Sequence, residues 1–210
     1  MSDHRITFRQ ATALDVAEAV PLIYSSGPDV CEYIFYTAQK GGAQAFFAYA
    51  FTRAGGELGY DNHTCILRDG KVVGIGAIWS GRKTFRFMLA DIKKILLFFG
   101  LIKGIGVLIR ALKAELLIQP PKKKEWALAH LGIDPVLTGK GLGSQLINHL
   151  MNAVPIQKNE KVVLDVSYIN PKAQKLYERL GFKVTRSRSS ALTRKKYNIK
   201  VPGHHRMEYL

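Results

Sequence analysis

The opening run ITFRQAT, from Ile6, alternates apolar and polar residues and predicts a first strand. The period then lengthens. From Asp15 to Tyr24 the apolar residues Val16, Val20 and Ile23 fall on one stripe, as an amphipathic helix requires. Gly27-Pro28 breaks that pattern, and two short helices follow, Val30 to Ala38 and Gln44 to Arg53, the second rich in Phe and Tyr. HTCILRDGKVVGIGAIWS reads as a hairpin, because two apolar runs flank Asp69-Gly70, a pair suited to a tight turn.

The segment from Thr84 to Leu117 is longer and oilier. Its longest uncharged stretch runs only from Ile95 to Ile102, between Lys94 and Lys103, whereas a membrane span needs about 20 apolar residues. No transmembrane segment is therefore expected. The pattern predicts two amphipathic helices broken near Gly100 to Gly106. They could pack on the domain, shape a pocket or lid, form a dimer face, or lie in a membrane interface.

After Pro120-Pro121 the chain predicts a strand from Trp126 to Ile133, a helix from Gly141 to Ala153 and a strand from Lys161 to Tyr168. A helix from Pro171 to Leu180 has Asn170 as its N-cap, Pro171 in its first position and Gly181 as its C-terminal glycine. Phe182 to Ser187 and His205 to Tyr209 are final strands. Helices and strands are mixed, with antiparallel hairpins at both ends, so one α+β domain over residues 1–210 is expected.

Composition narrows the chemistry. With 210 residues, 47% of them hydrophobic, the chain can bury a sizeable core. Two cysteines, Cys31 and Cys65, are too few for a disulfide framework or, by themselves, for a zinc site, and they suit a reducing cytoplasm. MSDHRITFRQ has no apolar core for a secretory signal. The net charge of +15 favours anionic partners: nucleic acid, a membrane surface, or an anionic cofactor or substrate. Nucleic acid is disfavoured among these, since no recognition helix or stacking-aromatic motif accompanies the charge.

The stretch PVLTGKGLGSQLINHL, Pro135 to Leu150, carries the clearest chemical signal. Gly139, Gly141 and Gly143 precede a helical pattern at once. Glycines let a backbone approach a ligand, and a helix start offers unpaired N–H donors, so the stretch reads as an anion site or as a tight turn. Two phosphate motifs fail. The P-loop needs Gly where Asp134 stands and Ser or Thr where Gly141 stands. The dinucleotide fingerprint needs Gly where Ser144 stands. Downstream, NPKAQKLYERLGF puts Asn170, Ala173 and Tyr177 on one helical face, with a small residue between a polar cap and a phenol.

LGIDPVLTGKGLGSQL followed by SYINPKAQKLYERLGF resembles the GNAT superfamily of acyl-CoA-dependent N-acetyltransferases. The family's loop reads Q/R-x-x-G-x-G/A, against TGKGLG here. Its later helix reads N-x-x-A-x-x-x-Y-x-x-x-G-F, matched from Asn170 to Phe182. The likeness is strong over Trp126 to Phe182, moderate before Ser80, and fails over Thr84 to Pro121, where the family has only a short turn. It implies a mixed, mostly antiparallel central sheet with flanking helices and a helical insertion at about 84–121, before the cofactor-binding strand.

The resemblance also implies roles. Acetyl-CoA is the cofactor. Backbone N–H groups of Gly139, Lys140, Gly141, Leu142, Gly143 and Ser144 hold its pyrophosphate, and the strand at Leu131 and Ile133 splays to pair with the pantetheine arm. Asn170 and Ala173 line that arm, and Tyr177 protonates the leaving thiolate. Thr138 departs from the pattern, standing where the family has Gln or Arg; the backbone donors and Lys140 remain. The reaction implied is direct acetyl transfer to an amine of an unidentified acceptor. The alternative is a catalytically silent module of this fold on RNA or a membrane surface.

The general base is open. Strand alternation puts Glu125, Ala127, Ala129 and Leu131 on the acceptor side and His130 on the other unless a bulge intervenes. Glu125 through water, Glu32 and Tyr33 are further candidates. A strongly basic protein weakly disfavours polyamine acceptors unless the site is locally acidic.

Overall fold

The computed structural model describes residues 5–37 and 42–209. Met1 to His4, and Ala38 where the second helix was expected to end, lie outside the described residues.

The first strand, β1 (Ile6–Gln10), leads into α1 (Val16–Ser25), whose Val20 and Ile23 are buried as the stripe requires. The second helix, α2 (Pro28–Phe35), starts two residues earlier than expected: Gly27 caps it and Pro28 takes the first turn, where a missing N–H costs nothing. It is followed by α3 (Gly42–Phe51), β2 (His63–Arg68) and β3 (Lys71–Ser80). Asp69 and Gly70 both have positive φ, 52° and 81°, so the two-residue turn matches the strand twist as expected of Asp-Gly.

The insertion is a helical hairpin, α4 (Thr84–Phe99) and α5 (Leu101–Ala114). Only Gly100, at φ 76°, makes the break. Gly104 and Gly106 lie inside α5; a Cβ on Gly104 would stand 2.9 Å from Leu96 Cδ2, so this glycine permits close packing on α4. The chain continues through β4 (Glu125–Ile133), α6 (Leu142–Asn152), β5 (Lys161–Ser167), α7 (Pro171–Arg179) and β6 (Lys183–Arg188). Two short strands the periodicity did not reveal, β7 (Thr193–Arg194) and β8 (Ile199–Lys200), form a separate ribbon before β9 (His204–Tyr209).

Seven strands make one sheet in the order β1-β2-β3-β4-β5-β9-β6, and only β4 with β5 is parallel. One face is covered by α1, α3, α4 and α5 around Cys65, Ile75, Phe46 and Ile95. The other is covered by α6 and α7 around Ile66, Leu128, Leu146 and Leu164. The α+β architecture, the mostly antiparallel sheet and the helical insertion are therefore as expected. Cys31 and Cys65 are free thiols, and burial pushes both up to about 12, which removes them as nucleophiles near neutrality.

Candidate active site

The strand β4 pairs with β3 along most of its length but with β5 only at Glu125, Trp126 and Ala127. Beyond Ala127 the two parallel strands part. The edge of β4 from Leu128 to Ile133 then faces a cleft instead of a ladder, and its backbone groups need another partner.

A bulge in the same half of β4 changes which side chains line that cleft. The register with β3 steps from Ala77↔Ala129 to Ile75↔Gly132, so His130 and Leu131 together oppose Gly76. His130 takes up the bend at φ 57°. The extra residue resets the alternation. Leu131 turns to the α6 face, where a Cβ on Gly76 would lie 2.8 Å from Leu131 Cδ2. His130 turns to the face holding Trp79, Ala127 and Ala129, and its ring stacks on His63 with centroids 5.2 Å apart. The expected placement of Leu131 on the acceptor side, with His130 opposite, is thus reversed.

The two histidines form a chain of defined polarity. His63 Nδ1 lies 2.8 Å from the Gly59 carbonyl oxygen, which can only accept, so Nδ1 carries the proton. His63 Nε2 is then the acceptor for His130 Nδ1, at 3.0 Å. That leaves His130 Nε2 as a lone pair, with no hydrogen-bond partner among the described residues. Burial holds His63 down to about 4 and His130 down to about 3, so both rings are neutral near pH 7.

The sign of this shift makes a prediction. An unfolded chain protonates its histidines below about pH 6.5, while the folded pair resists until about 4 and 3. Stability contributed by the pair is complete above pH 6.5 and is lost as pH falls towards 4. The melting temperature of the wild type should therefore drop from pH 7 to pH 5 more steeply than that of a His63→Phe, His130→Phe double variant. Equal acid slopes would remove the buried pair as the cause.

The other base candidates are engaged elsewhere. Glu125 accepts from Arg206 Nη2 at 3.1 Å and from the Lys122 N–H at 3.0 Å. Tyr33 is buried in a cluster with Ala114, Leu117 and Val201. Glu32, on α2, accepts from the Tyr24 hydroxyl at 2.9 Å through Oε1, while its Oε2 is buried without a hydrogen-bond partner among the described residues. Sequence reasoning missed two further polar groups. Trp79 Nε1 and Asp165 Oδ1 are buried without a hydrogen-bond partner. Asp165 sits on β5 two residues past the last pairing with β4, its other oxygen 2.5 Å from Arg206 Nη1. Neither could be read from local pattern, because each depends on strand register.

The glycine loop closes one end of the cleft. Asp134 Oδ1 accepts from the Val136 N–H at 2.9 Å and fixes a single tight turn over Pro135–Leu137. Thr138 is exposed, and its hydroxyl donates to the Pro135 carbonyl at 2.7 Å, so it stabilises the turn. Gly139 and Gly141 have φ of 79° and 82°, the left-handed region that glycine tolerates best, and Lys140 between them is exposed. The N–H groups from Gly139 to Ser144 have no acceptor among the described residues, and they cluster at the N-terminus of α6. Gly143 acts through packing instead. A Cβ there would come within 3.2 Å of Leu176 Cδ2, so its absence lets α6 rest on α7.

That contact brings the second motif to the first. In α7, Asn170 Oδ1 accepts from the Ala173 N–H at 3.1 Å, the N-cap expected, and Gly181 ends the helix at φ 96°. Ala173, Leu176 and Tyr177 join the same apolar cluster as Leu131, Ile133 and Leu142. The Tyr177 hydroxyl makes no hydrogen bond among the described residues, and burial pushes it up to about 12, so it keeps its proton. The parted strand, the unbonded N–H donors at the start of α6 and the protonated phenol of α7 thus belong to elements packed on one face of the sheet.

The donor set fits coenzyme A. Free N–H groups at a helix start suit a pyrophosphate, and the unpaired edge of β4 suits the amide-bearing pantetheine arm. A family model described as the acetyltransferase (GNAT) family matches residues 31–182. The chain belongs to the GNAT family. Among solved structures, an N-acetyltransferase from Staphylococcus aureus superposes with a TM-score of 0.68 at 15% identity, covering 96% of this chain and 99% of that one. Arabidopsis thaliana Naa50, bound to the bisubstrate analogue CoA-Ac-MVNAL, gives 0.55 at 14%, covering 98% of each. An agmatine N-acetyltransferase gives 0.56 at 14%, covering 97% and 98%. These identities show a shared GNAT fold and no more. No curated protein sequence matches the chain.

Proposed function

We propose that residues 1–210 act as a single acetyltransferase domain, in the cytoplasm, moving an acetyl group from acetyl-CoA directly to an amine. The observation that carries this reading is the parting of β4 from β5 beside the unsatisfied N–H groups of Gly139 to Ser144. Acetyl-CoA supplies the acetyl group as a thioester. Thr138 shapes the loop, Lys140 adds a positive charge beside the phosphates, and the backbone of Leu131 and Ile133 pairs with the arm. Ala173 leaves room for that arm beside α7, and Asn170 holds the helix start in place.

An amine acceptor is a cation at neutral pH and must lose a proton before it attacks. His130 Nε2 is the acceptor placed to orient this proton; burial holds its own pKa down to about 3, so it relays the proton onward to water and does not keep it. It is neutral, it faces the acceptor side of β4, and His63 fixes its tautomer through a bond anchored on Gly59. Tyr177, which keeps its proton, would be the donor to the thiolate sulfur when the thioester is bound.

Acetyl-CoA at 100 times its dissociation constant should stabilise the fold by about 2.7 kcal/mol. For a chain of this size that is a rise in Tm of roughly 5–10 °C in a thermal-shift titration. No rise at saturating acetyl-CoA, with none for free coenzyme A, would refute the cofactor assignment.

A further inference from the structure

The insertion carries a surface that the acetyltransferase reading does not use. Sixteen large hydrophobic residues of the described chain are exposed, and ten of them lie between Phe85 and Leu116 on α4, α5 and the turn after them. On α5 and the turn after it, Ile102, Ile105, Ile109, Leu112 and Leu116 recur every three or four residues and form one outward stripe. The inward face of the same helix is occupied by Gly104, Val107 and Ala114. The hairpin is thus apolar on both sides: one face packs on the domain, the other meets water. A concentration of this kind marks an interaction site.

Charge identifies the occupant. From Arg82 to Lys124 the chain has eleven Lys and Arg residues against two acids, Asp91 and Glu115. Asp91 is taken up by the Glu57 N–H, at 3.0 Å. Lys83, Arg86, Lys93, Lys113 and Lys122 to Lys124 are exposed and form no ion pair among the described residues. A second copy of this chain would bring two strongly basic hairpins together. Beside the stripe a paired coiled coil would want charges throughout, whereas this helix has Leu101, Gly106 and Leu108 there and only Lys113 and Glu115, at its C-terminal end, are charged. Among the described residues no helix is long and apolar enough to cross a membrane. An exposed apolar face on a hairpin rich in exposed cations, with helices too short to span, has the chemistry of a helix lying in an anionic lipid surface.

We propose that the α4–α5 hairpin docks this protein on anionic membranes, with the α5 stripe entering the acyl boundary and the hairpin's exposed cations meeting the headgroups. The test is co-sedimentation of the full chain with phosphatidylcholine vesicles, with and without phosphatidylserine. The comparison is an Ile102→Asp, Ile109→Asp variant. Both positions are exposed, so the variant should melt within a few degrees of wild type, and Lys93→Gln, Lys113→Gln gives a second variant that leaves the apolar stripe intact. Expected are binding to the phosphatidylserine vesicles, at least tenfold weaker binding by the aspartate variant, and weaker binding by the glutamine variant and at high salt. Wild type that stays in the supernatant with the anionic vesicles would overturn the proposal. So would equal binding by wild type and the aspartate variant. A dimer in sedimentation velocity that the aspartate variant dissolves, without vesicle binding by wild type, would assign the face to a second copy instead.

Discussion

Tyr177→Phe should lower acetyl transfer by about 100-fold while acetyl-CoA still raises Tm as in wild type, since a positioned general acid contributes about 10²–10⁴-fold. The change removes only the hydroxyl. The ring, which packs in the cluster with Leu176 and Leu180 and lies edge-on to Phe182 at 6.1 Å, stays in place. The hydroxyl makes no hydrogen bond within the described protein, so its loss leaves no partner orphaned and folding should be little affected. Thiol release from acetyl-CoA against a panel of amines reads the rate, and thermal shift reads binding. A rate within a factor of two of wild type would strip Tyr177 of the acid role. Loss of the thermal shift would place it in binding instead. In the same assay His130→Gln tests the base at the other end of the proton path: its rate deficit should shrink as pH rises and more of the amine is already neutral.

Gly132→Ala should destabilise the fold by about 3 kcal/mol, at the upper end of what overpacking costs. For a chain of this length that lowers Tm by roughly 6–12 °C. A Cβ at Gly132 would stand 2.2 Å from the Leu22 carbonyl oxygen and 2.7 Å from its carbon. Both atoms are α1 backbone, so no rotamer change relieves the clash; α1 or β4 must move. Gly132 lies in the parted half of β4, so a shift there also disturbs the edge offered to the pantetheine arm. Gly106→Ala is the control: inside α5 a Cβ there would meet only the flexible end of Arg110, at 3.5 Å, and its Tm should not fall. A Gly132→Ala protein that melts within a degree of wild type would show that α1 does not press on β4 in this way.

The parts of the site that could be read in advance are those fixed by neighbours in sequence. Asn170 caps α7 because its side chain reaches the N–H three residues on, and Gly181 ends that helix because few other residues tolerate its φ. Gly139 and Gly141 take left-handed conformations for the same local reason. Gly143 looked like a third member of that loop, yet its role lies in contact with Leu176 on another helix. The ribbon of β7 and β8 escaped because two-residue strands carry no period to detect.

Sequence by itself determined the alternating and helical periods, the turn at Asp69-Gly70, the paired motifs around Gly139 and Tyr177, and the amphipathic, strongly basic insertion. These depend on chemistry within a turn or two of chain, and they carry the family likeness. Only the tertiary structure decided where β4 parts from β5, where it bulges, and therefore that His130 rather than Leu131 shares a face with Trp79 and His63. It also decided that the second apolar face of α5 is left uncovered. The physical reason is common to these. Strand register and helix docking are settled by pairing between residues far apart in sequence, and one extra residue in a strand reverses the direction of every side chain beyond it.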